Sequence, residues 1–368
     1  MFLKYGIIHI MKKKDKDTKK DGMQMCKLCV AMATKQDLRD ILQILSKNIT
    51  KIFGVKGCTI RFFDKRRQTL EIIAAYGLSK EYLNKGPIDL KNHYIDREIL
   101  KGRLKYTRDI TKEKHVLYLE QAKKEGIKSV LSVPLFSENK PIGVIRIYTS
   151  EPRDFRKEEI EILRALSFIG GVLAERAKIW DEMKVLVEIS QAISSTLSLN
   201  EVLNMIVKNA TEILGMKASS LRLLDAEKRY LELKASYGLS EEYIQKGLIE
   251  VEKSPIDKEC LMCKVVIIKN IKKDKRLQYR DDLLREGIVS LVSLPLMSKG
   301  SAIGVLRVYS SINYDFTERD IDFLRSLSCQ GAIAIENARL FEHIKNEYKE
   351  LSQEVWKWYD WGEHFPRL

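Results

Sequence analysis

The hydrophobic residues of this chain recur at two spacings, and each spacing predicts one kind of element. A spacing of three or four positions, typical of one face of an α-helix, occurs at Leu38, Ile41, Leu42, Leu45 and Ile49. The same spacing returns at Val202, Leu203, Ile206, Ala210 and Ile213. A glycine suited to a C-terminal cap follows each run, at Gly54 and at Gly215. Two amphipathic helices are therefore predicted.

Runs rich in β-branched and aromatic residues follow each helix and predict strands. The first helix is followed by CTIRFFD and TLEIIAAYG, and the second by SSLRLLD and YLELKASYG. Each pair is separated by polar, turn-forming residues and is read as a hairpin. Further strands are predicted at LKYTRDI, SVLSVPLF and PIGVIRIYTS, and again at VVIIKNI, SLVSLPLM and AIGVLRVYSS. A short helix is expected near Asp96 to Leu100, and a charged helix is expected to end at Gly126 and again at Gly287.

The recurrence of every element reflects an internal repeat. YGLSKEYLNKG (76–86) returns as YGLSEEYIQKG (237–247), identical at eight of eleven positions and offset by 161 residues. The same offset relates Pro134 to Pro295 without a gap. This period is too long for a solenoid, whose repeats run to roughly 20 to 50 residues. The chain is therefore predicted to hold two α+β domains of one fold, each an antiparallel sheet with helices at its start and finish.

Each copy ends in a long helix with a heptad seam. Thr317 and Asp320 form a capping signal at the start of the second helix. The seam residues are Leu163, Leu166, Gly170, Leu173, Ala177 and Trp180 in the first helix, and Leu324, Leu327, Gly331, Ala334, Ala338 and Phe341 in the second. Such a seam favours a parallel homodimer. The first helix is expected to run unbroken from about residue 156 to 192 and to join the domains rigidly.

These elements divide the chain into five parts. We expect a flexible basic tail (1–33) that is dispensable for folding, a first domain (34–178), a helical linker (179–194), a second domain (195–342) and a C-terminal segment (343–368). The apolar start MFLKYGIIHI is too short to span a bilayer and precedes the basic run MKKKDKDTKK, the reverse of a secretory signal. The chain is therefore predicted to be cytoplasmic, without a membrane segment.

Net charge and cysteines change this picture little. Of the net charge of +14, nine Lys and three Asp in residues 1–35 account for +6, and the rest is spread over both domains. The charge forms no basic stripe and the sequence contains no DNA-binding motif, so no nucleic-acid partner is expected.

The CxxC pairs Cys26/Cys29 and Cys260/Cys263 have the ligand chemistry of a zinc site, but nothing in the sequence brings the two pairs together. The alternative is that these cysteines are small core residues and part of a mobile tail.

The ordered set of motifs resembles the GAF domain family, small-molecule sensor modules of signalling proteins, in two copies over nearly the whole chain. The resemblance rests on the strands CTIRFFD and SSLRLLD, the AxYGLS turns, the SVxSVPL-IGV pair and a phenylalanine before the closing helix. It implies a five- to six-stranded sheet of order 2-1-5-4-3, with the terminal helices on one face and a ligand pocket on the other.

The resemblance implies a dimeric sensory module that binds a small molecule of unknown identity and signals through its helices. Some family members bind cyclic nucleotides through an N-K…F-x3-D-E signature. This chain matches it in part, with Asn139, Lys140, Phe155 and Glu159 in one copy and Lys299, Phe316 and Asp320 in the other, but Ile160 and Ile321 replace the last acid. Helix capping alone also explains Glu159 and Asp320.

Two alternatives stay open. Some family members reduce free methionine sulfoxide through cysteines, and Cys260 with Cys263 is the pair that lies within a domain; its first-copy counterparts are Ile99 and Gly102. A protein-interaction scaffold with vestigial pockets is the other. No enzymatic or DNA-binding output pattern follows the second copy, which favours a separate protein partner. Trp356, Trp358 and Trp361 near the C-terminus mark a candidate contact surface or fold back onto the second domain.

The candidate ligand residues lie on strands. In CTIRFFD and GVIRIY, alternation places the apolar residues on the helix side and Arg61, Arg146 and Tyr148 on the other. Arg222, Arg307 and Tyr309 repeat the arrangement. The hypothesis is that each pocket holds a small anionic metabolite through Arg146 and Arg307, with help from Arg61 and Arg222. The alternative for Arg61 and Arg222 is a cross-strand ion pair with Glu71 and Glu232, if residue 62 pairs with residue 70.

Overall fold

The computed structural model describes residues 28, 31–32, 34–35, 37–64, 67–90, 93–113, 118–137, 140–195 and 198–362, with side chains up to residue 353. The chain divides into two compact units, Met1–Trp180 and Asp181–Leu368. Each unit contains one copy of the repeat. Within the described residues, no helix combines the length and the apolar content needed to cross a membrane.

The first unit follows the predicted element order. Its helices are α1 (Leu38–Phe53), α2 (Lys80–Leu83), α3 (Tyr94–Ile99), α4 (Leu119–Lys124) and α5 (Lys157–Ser194), which continues past the unit boundary. Its strands are β1 (Gly57–Asp64), β2 (Thr69–Tyr76), β3 (Ile88–Asp89), β4 (Lys105–Thr107), β5 (Ser129–Ser137) and β6 (Lys140–Thr149). The short α2 and β3 were not predicted, because four- and two-residue elements leave no periodic signal.

The second unit repeats this order. Its helices are α6 (Leu199–Ile213), α7 (Glu241–Ile244), α8 (Pro255–Leu261), α9 (Arg280–Arg285) and α10 (Glu318–Gly362). Its strands are β7 (Ala218–Leu224), β8 (Tyr230–Tyr237), β9 (Ile249–Glu250), β10 (Val266–Ile268), β11 (Ser290–Ser298) and β12 (Ser301–Ser310). Helix α10 extends into the predicted C-terminal segment (343–368) as far as Gly362. The side chains of Trp356, Trp358 and Trp361 lie outside the described part of the chain.

Both sheets are antiparallel and have one strand order. The first reads β3-β2-β1-β6-β5-β4, and the second reads β9-β8-β7-β12-β11-β10 from its equivalent edge. Without the two-residue strands, each gives the expected order 2-1-5-4-3. The α+β fold class is thus confirmed for both copies.

Local signals account for the helix ends. Asp37 accepts hydrogen bonds from the first backbone N–H groups of α1, and Gly54 closes this helix with a left-handed φ of 55°. Thr317 Oγ1 and Asp320 exchange hydrogen bonds at the start of α10, as the capping signal predicts. Glu159 receives the backbone N–H of Arg156 in the equivalent position of α5. Capping thus accounts for both acids of the partial nucleotide signature.

The first and last helices of each copy cover one face of its sheet. In the first unit, Ile41, Leu45 and Leu166 are buried against Ile60 and Ile145. Two residues of the predicted tail, Leu28 and Met32, are also buried in this core. These two residues therefore contribute to packing, while residues 1–27, 29–30 and 33 of the predicted tail lie outside the described part of the chain.

The heptad seam packs within each unit, and this corrects the expectation that it needs a second chain. Leu163, Leu166 and Ala177 are buried, and a Cβ built on Gly170 would lie 2.5 Å from Leu45 Cδ2. In the second unit the seam residues Leu324, Leu327 and Ala334 are buried likewise. The seam positions at the end of each run, Trp180 and Phe341, are exposed. The seam is therefore mainly the inner face of a helix that covers a sheet.

Candidate functional site

The face of each sheet opposite the terminal helices carries a buried polar cluster. In the first unit, Arg61 is fully buried on β1, and Arg146 and Tyr148 lie on the neighbouring strand β6. In the second unit, Arg222, Arg307 and Tyr309 hold the equivalent positions and are also buried. The structure thus brings together the three candidate residues of each copy.

A β-bulge lies in the strand opposite Arg61. The β1–β2 register shifts between Ile60 and Arg61, so Arg61 lies opposite Ile72, while Phe62 lies opposite Glu71. The same shift occurs between Leu221 and Arg222. The extra residue is on the partner strand in both copies, Ile73 on β2 and Lys234 on β8, so β1 and β7 keep their regular alternation.

The hairpin register also excludes the predicted cross-strand ion pairs, because Arg61 lies opposite Ile72 and Arg222 lies opposite Leu233. Glu71 lies 3.0 Å from Arg67 Nη1, in the turn of the hairpin, and Glu232 pairs with Lys234 at 2.7 Å. Alternation along each strand does not determine which residues of the two strands face each other, so it could not give this register.

A glycine allows the backbone to approach each bulge. A Cβ on Gly143 of β6 would overlap the carbonyl oxygen of Arg61, and one on Gly304 of β12 would overlap that of Arg222. Glycine removes this obstacle. The IGV motif in each copy therefore has a structural role next to the candidate arginine.

One edge of the Arg146 guanidinium is engaged by protein groups. Its Nε donates to Ser132 Oγ at 2.9 Å, and its Nη2 lies 2.5 Å from Asp96 Oδ1. In the second unit, Arg307 Nε donates to Ser293 Oγ at 2.8 Å and Nη2 pairs with Asp257. One edge of each guanidinium is therefore filled by a hydroxyl and a carboxylate.

The corresponding edge of the Arg61 guanidinium has no such partners in the described part of the chain. Its Nη1 donates to the carbonyl of Leu70 at 3.2 Å, but Nε and Nη2 have no hydrogen-bond partner among the described residues. Nε and Nη2 of Arg222 are in the same state within the described part of the second unit. Burial is the main influence on the pKa of Arg61 and lowers it. A buried polar group without a partner is rare and calls for a bound water, ion or ligand.

The buried carboxylates come from short helices. Asp96 lies on α3, is fully buried and approaches His93 Nδ1 at 2.5 Å. Burial opposes its ionisation, but Arg146 and His93 outweigh this and hold the pKa of Asp96 below its usual range. In the second unit, Ser254 replaces His93 and donates to Asp257 Oδ2 at 2.6 Å. Sequence reasoning missed both acids as site residues, because their helices are 50 residues from the arginines they contact.

A tyrosine pair and a lysine complete the cluster. Tyr148 shares a hydrogen bond with Thr59 Oγ1 at 3.0 Å, and its ring meets that of Tyr82 edge to face at 5.8 Å. Lys85 Nζ lies 3.3 Å from the centroid of the Tyr82 ring. Burial, with the nearby arginines, lowers the pKa of Lys85 to about 6. The repeated YGLSxEYxxKG segment supplies Tyr82 and Lys85, so the repeat itself was the signal that could have found these two residues.

The second unit has the same arrangement. Tyr309 shares a hydrogen bond with Ser220 Oγ at 2.9 Å, and its ring lies 6.2 Å from that of Tyr243. Lys246 Nζ lies 3.3 Å from the centroid of the Tyr243 ring, and burial lowers its pKa to about 6. Every group of the cluster thus returns at the repeat offset, with His93 as the main difference.

The cysteine sites do not resemble a reactive pair. Cys260 is fully buried on α8, and burial raises the pKa of its thiol to about 12, whereas a catalytic thiol needs a lowered pKa. Cys263 is exposed. No group of His, Cys, Asp or Glu within the described residues could hold a metal ion, and Cys26 and Cys29 lie outside them.

Comparison with known proteins identifies the domains. The family model described as GAF domain matches residues 35–173 and 196–336. The formate hydrogenlyase transcriptional activator of Salmonella typhimurium is 24% identical over 241 residues, which are 60% of this chain and 35% of that protein. The methyl sulfide methyltransferase-associated sensor of Methanosarcina acetivorans is 26% identical over 158 residues, which are 42% of this chain and 16% of that protein. The chain thus spans about a third or less of the length of these relatives.

Two solved GAF domains are also similar to part of this chain. The GAF domain of an Acinetobacter phosphoenolpyruvate-protein phosphotransferase is 24% identical, with a TM-score of 0.38, over 44% of this chain and 97% of that one. The corresponding domain from Coxiella burnetii is 21% identical, with a TM-score of 0.40, over 44% of this chain and 96% of that one.

Proposed function

This chain belongs to the GAF domain family, and on that premise we propose that it is a cytosolic, dimeric sensory module. Each domain binds a small molecule at its buried polar cluster, and the closing helices transmit the bound state to a separate protein partner. The regulatory role fits the names of the relatives, a transcriptional activator and a sensor.

The observation that carries the proposal is the repeated cluster with its unpartnered guanidinium edge. Burying polar and charged groups is costly unless they are paired. Both copies nevertheless keep two arginines, one buried aspartate and a tyrosine pair at equivalent positions, and of the four arginines Arg146 alone is partly exposed, at 12% of its side chain. Arg61 and Arg222 each keep two donors that no described protein group satisfies. A ligand that accepts these hydrogen bonds explains why both copies retain the cluster.

A short path connects the cluster of the first unit to its closing helix. Strand β6 carries Arg146 and Tyr148 and ends at Thr149, eight residues before α5 begins. In this connection, Arg153 donates to the carbonyl of Phe53 at the end of α1 and pairs with Glu159 in the first turn of α5. A ligand that shifts β6 would therefore act on both terminal helices. The size of the response depends on the difference in ligand affinity between the two states.

The dimer surface that we propose is an outer stripe on the closing helices. We define this outer stripe as the exposed residues Val172, Ile179, Trp180, Met183 and Val187 of α5, and Ile333, Leu340, Phe341, Ile344 and Tyr348 of α10. The two sets are equivalent at the repeat offset. Apolar side chains repeated along one helix face are typical of helix pairing, and a second copy of the chain presents the same face.

The function is tested on the purified full-length chain. Native mass spectrometry should detect a small molecule that dissociates under denaturing conditions, or thermal-shift screening should find a metabolite that raises the unfolding temperature. A parallel pull-down from native extract identifies the partner. A protein that carries no ligand, responds to no metabolite and still binds a partner tightly would instead be a scaffold with vestigial pockets.

The enzyme alternative has a direct assay. Free methionine sulfoxide and a dithiol reductant are incubated with the chain and with its Cys260→Ser variant. Because Cys260 is buried with a raised pKa, we expect no turnover above background in either sample. Turnover that disappears in the variant would replace the sensor proposal with an enzymatic one.

A further inference from the structure

We propose that the ligand of each domain is a small monocarboxylate, held by the Nε–H and Nη2–H groups of Arg61 in the first domain and of Arg222 in the second. The inference rests on the proposed function and names the chemical class of its ligand. It also exchanges the roles expected from sequence, in which Arg146 and Arg307 were the main anchors.

The first step is the geometry of the free donors. Nε–H and Nη2–H lie on one edge of a guanidinium and point in parallel, so they match the two oxygens of a carboxylate. Arg146 uses this same edge for Ser132 and Asp96. The matching edge of Arg61 is the one with no partner among the described residues. Each domain therefore presents one filled and one free bidentate site.

The second step is the charge. Arg61 and Arg146 bring two positive charges to the cluster, and the buried Asp96 forms its ion pair with Arg146. The lowered pKa of Lys85 keeps this amine mostly neutral at pH 7. The positive charge of Arg61 is thus left without a direct acid, and one negative charge balances it. A dianion would bring a second charge into the same buried region at a desolvation cost.

The third step is size. Arg61, Thr59 and Asp96 are fully buried, and Tyr148 is nearly so. A group reaching the Arg61 edge must fit among packed side chains, which favours a ligand of few non-hydrogen atoms. The hydroxyl groups of Thr59 and Tyr148 already share a hydrogen bond with each other. The arginine edge therefore provides the main polar recognition, and apolar ligand atoms beyond a short chain have little room.

The test uses the full-length chain and sodium formate, acetate and propionate at constant ionic strength, with chloride and phosphate for comparison. Calorimetry and thermal shift should show saturable binding of at least one carboxylate, with up to two sites per chain and no equivalent effect of chloride or phosphate. Arg61→Lys and Arg222→Lys keep the charge but lose the paired donors. Each should weaken binding at its own site by about tenfold or more, and the double variant should weaken both.

The matched control is Arg67→Lys, in the turn after the same strand, where the arginine side chain is 71% exposed. This variant should bind carboxylate like the unmodified chain. If Arg61→Lys does not fold, Arg61→Met serves instead. Since it removes a buried charge without a partner, it should unfold at a higher temperature than the unmodified chain in carboxylate-free buffer and lose the carboxylate effect of its site.

Three outcomes would overturn the inference. Phosphate could bind as well as the carboxylates, the carboxylate effect could persist in the double lysine variant, or no carboxylate could bind at all. A neutral or larger molecule that co-purifies with the chain would overturn the monocarboxylate assignment and leave the sensor function standing. Absence of any bound or binding molecule would defeat the proposed function as well.

Discussion

At the residue scale, the two arginines of each cluster differ in what they stabilise. Arg307 neutralises Asp257, and both side chains are almost completely buried. Arg222, on the neighbouring strand, keeps two donors without a described partner. Replacing Arg307 and replacing Arg222 should therefore have different effects on stability, although both are arginines on the same face of the sheet.

Replacement of Arg307 by Met should strongly destabilise the second domain. The substitution leaves Asp257 buried without its cation, so we expect a loss of roughly 3–5 kcal/mol in the free energy of unfolding. Denaturant titration measures this loss. Adding Asp257→Leu to Arg307→Met should recover much of the stability, because the isolated charge is then removed.

The control for this substitution is Arg276→Met. The Arg276 side chain is 44% exposed and pairs with Asp274, and exposed pairs contribute about 0–1 kcal/mol. A loss at Arg307 no larger than that at Arg276 would contradict a structural role for the Arg307–Asp257 pair.

Lys85 should make stability depend on pH. The pKa of Lys85 is about 6 in the folded chain, compared with 10.5 for an ordinary lysine. Burial is the main cause of this decrease. Between these values the unfolded chain binds a proton that the folded chain does not, so this lysine makes stability rise as pH increases from about 6 to about 10.5. Lys85→Met should remove that slope and be more stable than the unmodified chain near pH 6, with the difference closing towards pH 10.

Several charges act on Lys85 besides burial. Arg61 and Arg146 also lower its pKa, whereas Glu125 and Asp96 raise it. The measurement is thermal unfolding from pH 6 to pH 10 for both proteins. Lys80→Met, at the exposed start of α2 and five residues before Lys85, is the control and should keep the pH dependence of the unmodified chain. An unchanged slope in Lys85→Met would refute the assignment.

At the element scale, the closing helices approach their sheets to different extents. A Cβ on Gly171 of α5 would overlap the backbone oxygen of Phe136 on β5. The equivalent residue in α10 is Ala332, which is buried at 2% exposure. The first helix therefore depends on a close backbone contact that the second does not have.

Gly171→Ala should destabilise the first domain by about 1–3 kcal/mol or more, because a rigid backbone atom cannot move aside as a side chain can. Gly331→Ala is the matched control: its Cβ would meet Ile206 Cδ1 at 3.3 Å and Leu296 Cδ2 at 3.4 Å, the flexible ends of side chains. Its effect should stay small, since alanine favours a helix by about 1 kcal/mol over glycine. Equal unfolding temperatures for the two variants would argue against the close contact.

At the scale of the whole molecule, substitutions in the buried seam and in the outer stripe should have different effects. Leu166→Glu places a charge in the core of the first domain and should impair folding. Val172→Glu and Leu340→Glu change exposed positions of the outer stripe, so folding should persist while the proposed dimer dissociates.

Light scattering should give a mass near 42.7 kDa for a Val172→Glu, Leu340→Glu double variant and about twice that mass for the unmodified chain. Circular dichroism checks that both remain folded. An unmodified chain that is monomeric at micromolar concentration would disprove the dimer, and a dimeric double variant would show that the interface lies elsewhere.

The sequence by itself determined the number of domains, the order of their elements and the side of each sheet on which the arginines lie. The offset of 161 residues gave the two copies, and alternation separated Arg61 and Arg146 from the apolar residues that contact the helices. These features follow from local spacing, because the periods of helices and strands decide which residues share a face. The family motifs then supplied the strand order.

Only the tertiary structure decided which arginine is satisfied and what covers each helix. The register of the hairpin placed Ile72 and not Glu71 opposite Arg61, and α3 brought Asp96 to Arg146 across 50 residues of sequence. The heptad seam was covered by the chain's own sheet, which left the outer stripe exposed. Contacts between distant segments depend on how all elements pack at once, and a one-residue shift in strand register changes every partner, so local spacing could not determine them.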